Sequence, residues 1–349
     1  MAVALGSLVA DVKEKIELDD LAGRTIAIDA YNTIYQFITI IRQPDGTPLM
    51  DSKGRITSHL SGLFYRTISL VEHRITPVYV FDGIPPVLKQ RTLEARASRR
   101  AEALKEWNKS LREGQIEEAR THAVASSRIT KEMVESAKEL LGHMGITCVQ
   151  APSEGEAQAA RMTREGTVYA AASQDYDLFL FGADVAIRNL TITGRRKLPG
   201  KNVYVDVSTE RIELKRLLDS LKVSRKQLIW LGMLMGTDFN AGIEKVGPKT
   251  ALKIVREHRS LKAIVEHVRS KYGKEFDANP EEVERVFTEP ETVEVGKKDI
   301  DNNMKVNKEM LVKFMSEEHG FSQERIGKFA DTLAKLKLRA GQKGMGAWV

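Results

Sequence analysis

The sequence is poor in cysteine and has no long apolar run, no internal repeat and no low-complexity tract. Its single cysteine, Cys148, excludes an internal disulfide and fits a reducing compartment. No apolar stretch approaches the roughly 18 to 20 residues that a membrane helix needs. Residues 1–11 lack the basic start and the small-residue cleavage site of a secretory signal. These absences exclude membrane-spanning and disulfide-framework proteins, and they predict a protein of the cell interior.

The composition is that of a soluble globular protein. Of the 349 residues, 42% are hydrophobic and 29% are charged, which is a normal balance for a chain that buries a core. The length allows one large domain or two smaller ones. The net charge of +6 indicates a polyanionic partner, but the excess is mild for this size. Where the charges lie therefore matters more than their sum.

Three apolar runs that each end in an acidic residue indicate strands of a parallel sheet. They are residues 24–29, 76–82 and 167–175. Helical segments such as 58–73 separate them, and a further short strand is predicted at 146–149. Continuous apolar runs of this length are typical of strands buried on both faces. The predicted fold class is therefore α/β, with a mostly parallel central sheet flanked by helices.

Two other segments do not fit a simple layered sheet. Residues 83–128 contain ten Lys and Arg against six Glu and have only a thin apolar face. We therefore predict a basic helical projection that stands away from the core. Residues 224–270 are predicted to be helical around a glycine-containing turn at 242–248.

The C-terminal part of the chain carries weaker signals. Residues 271–307 are polar with little periodicity, and two helices are predicted at about 308–318 and 322–339. A glycine-rich tail, 341–349, follows. We predict a single domain over residues 1–340 and a separate tail.

Seven acidic residues are of interest because several follow the predicted strands. Asp29 and Asp82 end two strands and Asp175 follows a third, and such strand ends meet at one edge of a parallel sheet, where ligands bind. At about 4 Å and an effective dielectric near 20, each pair of like charges costs roughly 4 kcal/mol. Either several acids are protonated near neutral pH or divalent cations such as Mg²⁺ lie among them. The candidate ligands are Asp29, Asp82, Glu154, Glu156, Asp175, Asp177 and Asp238.

Each acid has an ordinary structural alternative when it is considered alone. A strand-end aspartate is more often a turn residue or a helix N-cap. Ser153 and Glu156 fit a capping box, which would make Glu156 structural. Asp175 and Asp177 lie in a predicted loop, where acids are common. The set favours a functional site, because all three strand ends carry the same chemistry.

The seven acids lie in five short motifs: Ile28-Asp29-Ala30, Tyr79-Val-Phe-Asp82-Gly83, Ala151-Pro-Ser-Glu154-Gly-Glu156, Ala172-Ser-Gln-Asp175-Tyr-Asp177 and Leu234-Met-Gly-Thr-Asp238. In this order and over nearly the whole chain, the motifs resemble those of the flap endonucleases, a family of XPG-like 5′ nucleases. The resemblance implies a PIN-like 5′ nuclease fold with a helical arch over 83–128 and a helix-hairpin-helix at about 236–258. It also implies one nuclease domain over 1–340, with an N-terminal region at 1–105 and an internal region at 125–260.

The resemblance further implies that the acids hold two Mg²⁺ ions, for which Mn²⁺ is a substitute. One ion would be held chiefly by Asp29, Asp82, Glu154 and Glu156. The other would be held by Asp175, Asp177 and Asp238, with Glu156 between the two. Such a pair generates hydroxide and stabilises the leaving oxygen of a phosphodiester, so no nucleophilic side chain is needed.

A set of DNA-holding residues is also implied. Lys89 and Arg96, which share one helix face, match arch residues that steer the scissile phosphate. Tyr35 matches a tyrosine that stacks on a base beside the cut. The ordinary alternatives are a solvated charged face and a core aromatic. The implied duplex contacts are Arg66, Gly242, Gly247 and Lys249, and Thr57 lies in the region of a pocket for a one-nucleotide 3′ flap.

The turn at 242–248 resembles a helix-hairpin-helix, whose backbone amides grip duplex phosphates without reading sequence. The family's version also holds a K⁺ ion through backbone carbonyls. This chain departs from the family with Lys245, where a glycine is usual, and with Ala2, where the family opens Met-Gly. The geometry of the turn and of its K⁺ site is therefore open, and a plain interhelical turn is the alternative.

The last residues resemble the short motif that binds the sliding clamp (PCNA), through Gln342, Met345 and Trp348. An aromatic residue in a glycine-rich end has no element to pack against, which favours an anchor for a partner's pocket. Val349 replaces the usual final aromatic. The sequence has no basic nuclear tail after this motif, and in this respect it resembles archaeal members of the family more than eukaryotic ones. We therefore expect a cytoplasmic location, or a nuclear one if the source were eukaryotic.

Together these features predict a monomeric enzyme that cuts branched DNA with a 5′ flap and has 5′→3′ exonuclease activity, serving Okazaki-fragment maturation and repair. The alternatives are a 5′→3′ exonuclease of the same family, a non-catalytic metal-binding DNA scaffold, and an RNase of the related small-nuclease type. Asp82 and Glu154 are 72 residues apart, too few for the long insertion of bubble-cutting relatives.

Overall fold

A seven-stranded sheet forms the centre of the molecule, which is seen in a computed structural model. The structure describes residues 3–192, 194–197, 204–300 and 305–345, without the side chains of 194–197, 204–206 and 339–345. The strands are β1 (Glu14–Ile16), β2 (Thr25–Asp29), β3 (Thr76–Phe81), β4 (Thr147–Gln150), β5 (Ala170–Ala172), β6 (Val185–Arg188), β7 (Gly194–Lys197), β8 (Tyr204–Val207) and β9 (Thr209–Glu213).

The strand order of the central sheet is β1-β9-β6-β5-β2-β3-β4. The strands from β6 to β4 are parallel, and β9 and β1 are antiparallel additions at one edge. β7 and β8 form a separate antiparallel pair. The mostly parallel sheet predicted from the sequence is confirmed.

Some helices cover the two faces of this sheet, and others extend from it. They are α1 (Ala30–Ile40), α2 (Ser58–Glu72), α3 (Gln90–Arg112), α4 (Ile116–Ala125), α5 (Lys131–His143), α6 (Gly155–Arg164), α7 (Asp177–Leu180), α8 (Leu214–Leu221), α9 (Arg225–Met235), α10 (Pro248–Glu257), α11 (Leu261–Tyr272), α12 (Pro280–Thr288), α13 (Lys297–Ile300), α14 (Lys308–Val312) and α15 (Gln323–Met345). A π-helical turn, Lys313–Glu318, follows α14. Among the described residues, no helix is long and apolar enough to cross a membrane.

The parallel strands are apolar throughout because both of their faces are buried. In β2, Ile26 and Ile28 belong to one hydrophobic cluster, and Ala27, which points the other way, belongs to a second. Helices α1, α2 and α5 pack on the first face and α6 on the second, and α9 and α10, which pack on each other, belong to the cluster of the second face. Each fully buried isoleucine contributes about 1.5 to 3 kcal/mol, so the sheet is the most firmly held part of the fold.

The segment predicted as a basic projection is a helical pair. α3 and α4 pack on each other, and α3 buries only Ala103 and Ser110 along its 23 residues. With so little apolar area to bury, α3 is held to the body mainly by polar contacts near its first turns. We call residues 89–125, that is α3 and α4 together with Lys89 at the N-cap of α3, the arch.

The structure also contains elements that the sequence patterns did not reveal. Short strands β1, β6 and β9 complete the sheet, and α12 and α13 lie in the segment 271–307 that showed little periodicity. The predicted helix 308–318 is a short α14 followed by the π turn. α15 continues to Met345, past the predicted end at 339, although the extension includes Gly341 and Gly344 and each glycine costs a helix about 1 kcal/mol.

Candidate functional site

The carboxyl ends of three parallel strands bring acidic residues together. β2 lies between β5 and β3, and Asp29, the last residue of β2, pairs with Val80 of β3. Asp82 directly follows β3 and Asp175 follows β5. Because neighbouring parallel strands end at the same edge, these three carboxylates share it.

The other four acids reach the same edge from helix ends. Glu154 precedes α6 and Glu156 lies in its first turn, Asp177 begins α7, and Asp238 follows α9. Electrostatic interactions connect the whole set: Glu156 interacts with Asp175, Asp177 and Asp29, and Asp82 interacts with Glu154, Asp238 and Asp29. We call these seven residues the acid cluster. The sequence-based prediction that they lie close together is consistent with this arrangement.

Asp29 has a structural role as well as a place in the cluster. Its Oδ1 accepts a hydrogen bond from the Asn32 amide at 2.9 Å, so it is the N-cap of α1. Its Oδ2 faces Ser173 Oγ at 3.3 Å, and that hydroxyl also donates to Glu156 Oε1 at 2.9 Å. The capping-box alternative for Glu156 is wrong, because α6 begins after Glu154 with no side-chain cap. The serine bridges two acids instead.

Main-chain amides fix two further acids. Asp82 Oδ1 accepts from the Gly155 amide at 2.7 Å. A Cβ at Gly155 would lie 2.5 Å from that oxygen, so only glycine permits this approach. Asp177 Oδ1 accepts from the Val3 amide at 2.9 Å. These bonds hold the carboxylates in place, and within the described ranges no main-chain amide bonds the second oxygen of either.

Burial and repulsion raise the pKa of several members of the acid cluster. Burial, and then the charge of Asp82, raises the pKa of Asp29 to about 8. Burial, and then the charge of Glu154, raises the pKa of Asp82 to about 6. Burial raises the pKa of Asp177 to about 7, in spite of the Val3 hydrogen bond. Burial, followed by the charge of Asp175, also raises the pKa of Glu156 well above its ordinary value.

Two cations of the arch reach into the acid cluster. Lys89 Nζ lies 2.5 Å from Glu154 Oε2 and 3.5 Å from Asp238 Oδ2. Arg96 Nη2 lies 2.5 Å from Asp238 Oδ1. Although burial acts to raise it, these two cations hold the pKa of Asp238 below its ordinary value. Although burial acts to lower it, Glu154 and then Asp238 raise the pKa of Lys89.

The acid cluster fits divalent cations by its donor chemistry. It consists of carboxylate oxygens only, the ligands that Mg²⁺ and Mn²⁺ prefer, and the Lys89 ammonium already occupies a position between two of them. As the side chains stand, no three of the His, Cys, Asp and Glu residues in the described ranges are arranged to hold an ion. A cation that replaced the Lys89 contacts would meet Glu154 and Asp238 at once, so Lys89 marks a place where positive charge is favourable.

The comparisons with known proteins agree with this geometry. Two family models match the chain, the XPG N-terminal domain over residues 1–103 and the XPG I-region over residues 145–238. A flap endonuclease 1 from Pyrococcus furiosus is 49% identical, with 100% of this chain and 99% of that protein covered. One from Methanosarcina acetivorans is 48% identical, with both chains covered completely. This chain belongs to the flap endonuclease family.

Solved structures extend the match to three dimensions. The flap endonuclease-1 from Methanococcus jannaschii has a TM-score of 0.74 and 37% identity, over 97% of this chain and 99% of that one. The catalytic core of Rad2 in complex with a DNA substrate has a TM-score of 0.68 at 24% identity, over 95% of this chain and 100% of that one, which shows a shared fold. The expected fold class is confirmed, and nucleases of this family are metal-dependent.

In this flap endonuclease family member, a polar chain that the sequence did not reveal supports the acid cluster. Asn32 Nδ2 lies 3.4 Å from Asp175 Oδ2, and Gln36 Nε2 donates to Asn32 Oδ1 at 2.7 Å. Thr191 Oγ1 donates to Gln36 Oε1 at 2.8 Å. The spacing of Asp29 and Asn32 could have indicated this support, because the residue three positions after an N-cap residue lies next to it in the first turn of the helix.

The predicted DNA-contacting residues outside the arch occupy varied environments. Tyr35, on α1, is 41% exposed, so the core-aromatic alternative is wrong for this residue. Thr57 is buried at the start of α2. The Arg66 guanidinium donates to the main-chain carbonyl of Leu190, with Nε at 2.9 Å. Its role in DNA contact stays a prediction.

The turn between α9 and α10, residues 236–247, depends on backbone conformations that glycine permits. Gly236 has φ of +99° and Gly242 has φ of +79°, and Lys245 has φ of +67°, so the lysine adopts the left-handed conformation expected of the usual glycine. Gly247 precedes Pro248, the first residue of α10, and Lys249 is in the first turn of that helix. We call residues 236–247 the hairpin turn.

Replacing Gly242 by alanine is expected to destabilise the protein by about 2 to 3 kcal/mol. The new Cβ would lie 2.5 Å from the Gly236 nitrogen and the Met235 carbonyl carbon. Thermal unfolding measures the loss. Gly247→Ala is the matched control, because its Cβ has nothing within 4 Å; an equal loss in both variants would contradict the proposed constraint.

The predicted clamp-binding tail lies largely beyond what the structure describes. Trp348 is outside the described residues. Gln342 and Met345 belong to α15, where the structure describes their backbone but not their side chains. The clamp-binding motif stays a prediction.

Proposed function

We propose that this chain is a structure-specific 5′ flap endonuclease with 5′→3′ exonuclease activity that hydrolyses DNA phosphodiesters near the junction of a flap and a duplex. The observation that carries the proposal is the pairing of an acid cluster with arch cations at the carboxyl edge of a parallel sheet. Relatives covering the full chain are flap endonucleases by name. The family's 5′→3′ exonuclease is the alternative function.

We propose that the acid cluster binds two Mg²⁺ ions, with Mn²⁺ as a substitute. Asp29, Asp82, Glu154 and Glu156 would hold one, and Asp175, Asp177, Asp238 and Glu156 the other. When bound, such ions polarise a phosphodiester and make water a stronger nucleophile. The chain's own residues supply the rest of the proposed chemistry.

The arch supplies two cationic side chains that would exchange their carboxylate partners in the protein for a phosphate of the substrate. Lys89 and Arg96 are paired with Glu154 and Asp238, and a DNA phosphate would compete for them as the acids take up metal. Their charges would then stabilise the negative charge that develops on the scissile phosphate. Tyr35, exposed on α1, would stack on an unpaired base next to the cut.

The duplex would be held away from the cut, mainly by the hairpin turn. Amides at the start of α10, near Gly247 and Lys249, are available to phosphates, with Gly242 shaping the turn. A K⁺ ion bound by turn carbonyls and a duplex contact at Arg66 belong to the same proposal. Thr57 would line a pocket for a one-nucleotide 3′ flap.

We place the protein in the cell interior, acting as a monomer in Okazaki-fragment maturation and DNA repair. Gln342, Met345 and Trp348 would bind a sliding clamp. The support for these assignments is the tail motif, the single cysteine and the full-length similarity to archaeal relatives.

A labelled double-flap DNA tests the activity directly. Incision near the junction is expected with Mg²⁺ and none with a chelator. A bubble of the same sequence, which lacks a free 5′ end, should be cut far more slowly, and all-RNA flaps should be poor substrates. Stepwise removal of 5′ nucleotides without junction incision would favour the exonuclease, and binding without cleavage would favour the scaffold.

Stability in the absence of divalent ions is expected to fall as pH rises from about 4 to 8. Asp29, Asp82 and Asp177 have pKa values of about 8, 6 and 7 in the folded chain against an ordinary value of 3.8. The folded state therefore binds more protons than the unfolded state across this window, and it loses that advantage as pH rises through the folded-state values. Thermal unfolding with a chelator at pH 5 and pH 8 measures the difference.

Asp29→Asn should flatten this dependence, because asparagine cannot ionise and still accepts the Asn32 amide. At pH 8 without divalent ions it should raise the melting temperature by roughly 5 °C. Asp219→Asn, an exposed change outside the acid cluster, is the control. Equal melting temperatures at both pH values for the wild type would contradict the coupling of the acids.

A further inference from the structure

A carboxylate outside the acid cluster joins the arch to the hairpin turn. Asp277 Oδ2 accepts from Arg91 Nη1 at 2.8 Å, and Asp277 Oδ1 accepts from the Ala241 amide at 2.9 Å. Its neighbours Phe276 and Ala278 both pack against a core cluster. Asp277 is therefore held in place by its two neighbours, and its two carboxylate oxygens bind one residue of α3 and one residue of the hairpin turn.

These two segments are joined a second time inside the acid cluster. Arg91 lies two residues beyond Lys89, and Ala241 lies three residues beyond Asp238. The inner connection is the pairing of Lys89 and Arg96 with Asp238. The outer connection runs from Arg91 through Asp277 to Ala241, and it uses no member of the acid cluster.

The two connections respond differently to a substrate. If Lys89 and Arg96 turn to a phosphate and Asp238 takes up a cation, the inner connection is lost at the moment when the arch must be well positioned. The outer connection has no group in that exchange, so it is retained. The arch base then depends on Asp277 for its contact with the hairpin turn.

We infer that Asp277 is a positioning residue that keeps the base of the arch seated on the hairpin turn while Lys89 and Arg96 engage the substrate. The inference rests on the proposed function for the roles of those two cations. The effect of Asp277 on the cleavage rate cannot exceed what the Arg91–Asp277 ion pair contributes. The side chains are 75% and 26% exposed, so removal of the pair should slow cleavage about 3- to 5-fold.

Asp277→Asn separates the two contacts, because asparagine keeps an oxygen for the Ala241 amide and loses the charge that pairs with Arg91. Single-turnover cleavage of a 5′-flap DNA by the full chain with Mg²⁺ should slow about 3- to 5-fold, with flap affinity nearly unchanged. In an Arg91→Ala background the same substitution should have no further effect. Glu275→Gln, which breaks the nearby Arg269–Glu275 pair of 2.9 Å, is the matched control and should leave the rate unchanged.

A protease readout tests the same contact without relying on cleavage of DNA. Lys105 and Lys109 are exposed on α3, and a lysine-specific protease should cut there faster in Asp277→Asn than in the wild type or Glu275→Gln. An equal loss of rate from Asp277→Asn in the wild-type and Arg91→Ala backgrounds would overturn the inference, as would unchanged proteolysis of the arch. If the wild type failed to cut the flap, the proposed function would fail, and the protease readout would still decide the role of Asp277.

Discussion

Asp177→Asn is expected to lower flap cleavage about 10³-fold, the effect of removing one preorganised charge from a catalytic site. Asparagine has the same size and retains an oxygen for the Val3 amide, which donates to Asp177 at 2.9 Å. What it removes is one negative charge from a cluster proposed to hold divalent cations. Asp177 is only 5% exposed, so DNA does not reach it, and affinity for a flap substrate should change by less than about 2-fold.

Single-turnover cleavage and equilibrium binding, measured on the same flap DNA with Mg²⁺, separate the two effects. Asp184→Asn is the matched control, because Asp184 is an exposed acid seven residues along the chain and outside the acid cluster. Cleavage by Asp177→Asn at the wild-type rate would refute the catalytic assignment. A parallel loss of binding and cleavage would instead indicate a structural role.

Lys89→Ala should slow cleavage about 10²-fold. The loss follows from the position of the ammonium, 2.5 Å from Glu154 and 3.5 Å from Asp238, where it would meet a scissile phosphate that enters beside the acid cluster. A second effect is expected without divalent ions. Glu154 and Asp238 would lose their nearest counter-charge, and the melting temperature should fall because a buried charge is left without its partner.

Lys105→Ala is the control for Lys89, since it removes an exposed positive charge from the helix that Lys89 precedes, at a distance from the acids. It should lower affinity slightly and leave the rate at saturation unchanged. Lys89→Arg should recover part of the rate, because the charge is kept and the geometry is altered. Full activity of Lys89→Ala at saturating enzyme would rule out the proposed contact with the phosphate.

The parts of the site that could be predicted from the sequence are those governed by local pattern. Apolar runs ending at Asp29 and Asp82 identify parallel strands, and parallel strands end together, so the meeting of the acids follows from topology. The thin apolar face of α3 likewise identifies the arch. One local pattern was misleading: Ser153 and Glu156 have the spacing of a capping box, yet the N-cap of α6 is Glu154 and no side chain caps the helix. Glu156 is bonded to Ser173.

The rest depends on contacts between residues far apart in the chain. The Val3 amide meets Asp177 across 174 positions, and Arg96 meets Asp238 across 142, and neither pairing leaves a periodic trace. The edge strand β1 and its neighbour β9 were also missed, since segments of three to five residues in which most side chains are charged look like a loop. Arg66 shows the same limit, because its partner is a main-chain carbonyl that any residue could supply.

Asp29 serves at once as the cap of α1 and as a member of the acid cluster, so heat should inactivate the enzyme before it unfolds. Fraying of the first turn of α1 would carry the carboxylate away from Ser173 while the sheet beneath stayed intact. Hydrogen exchange at the Asn32 amide should then accelerate at the same temperature at which activity declines. An amide that remained protected until the whole chain unfolded would show that fraying of the first turn of α1 does not cause the loss of activity.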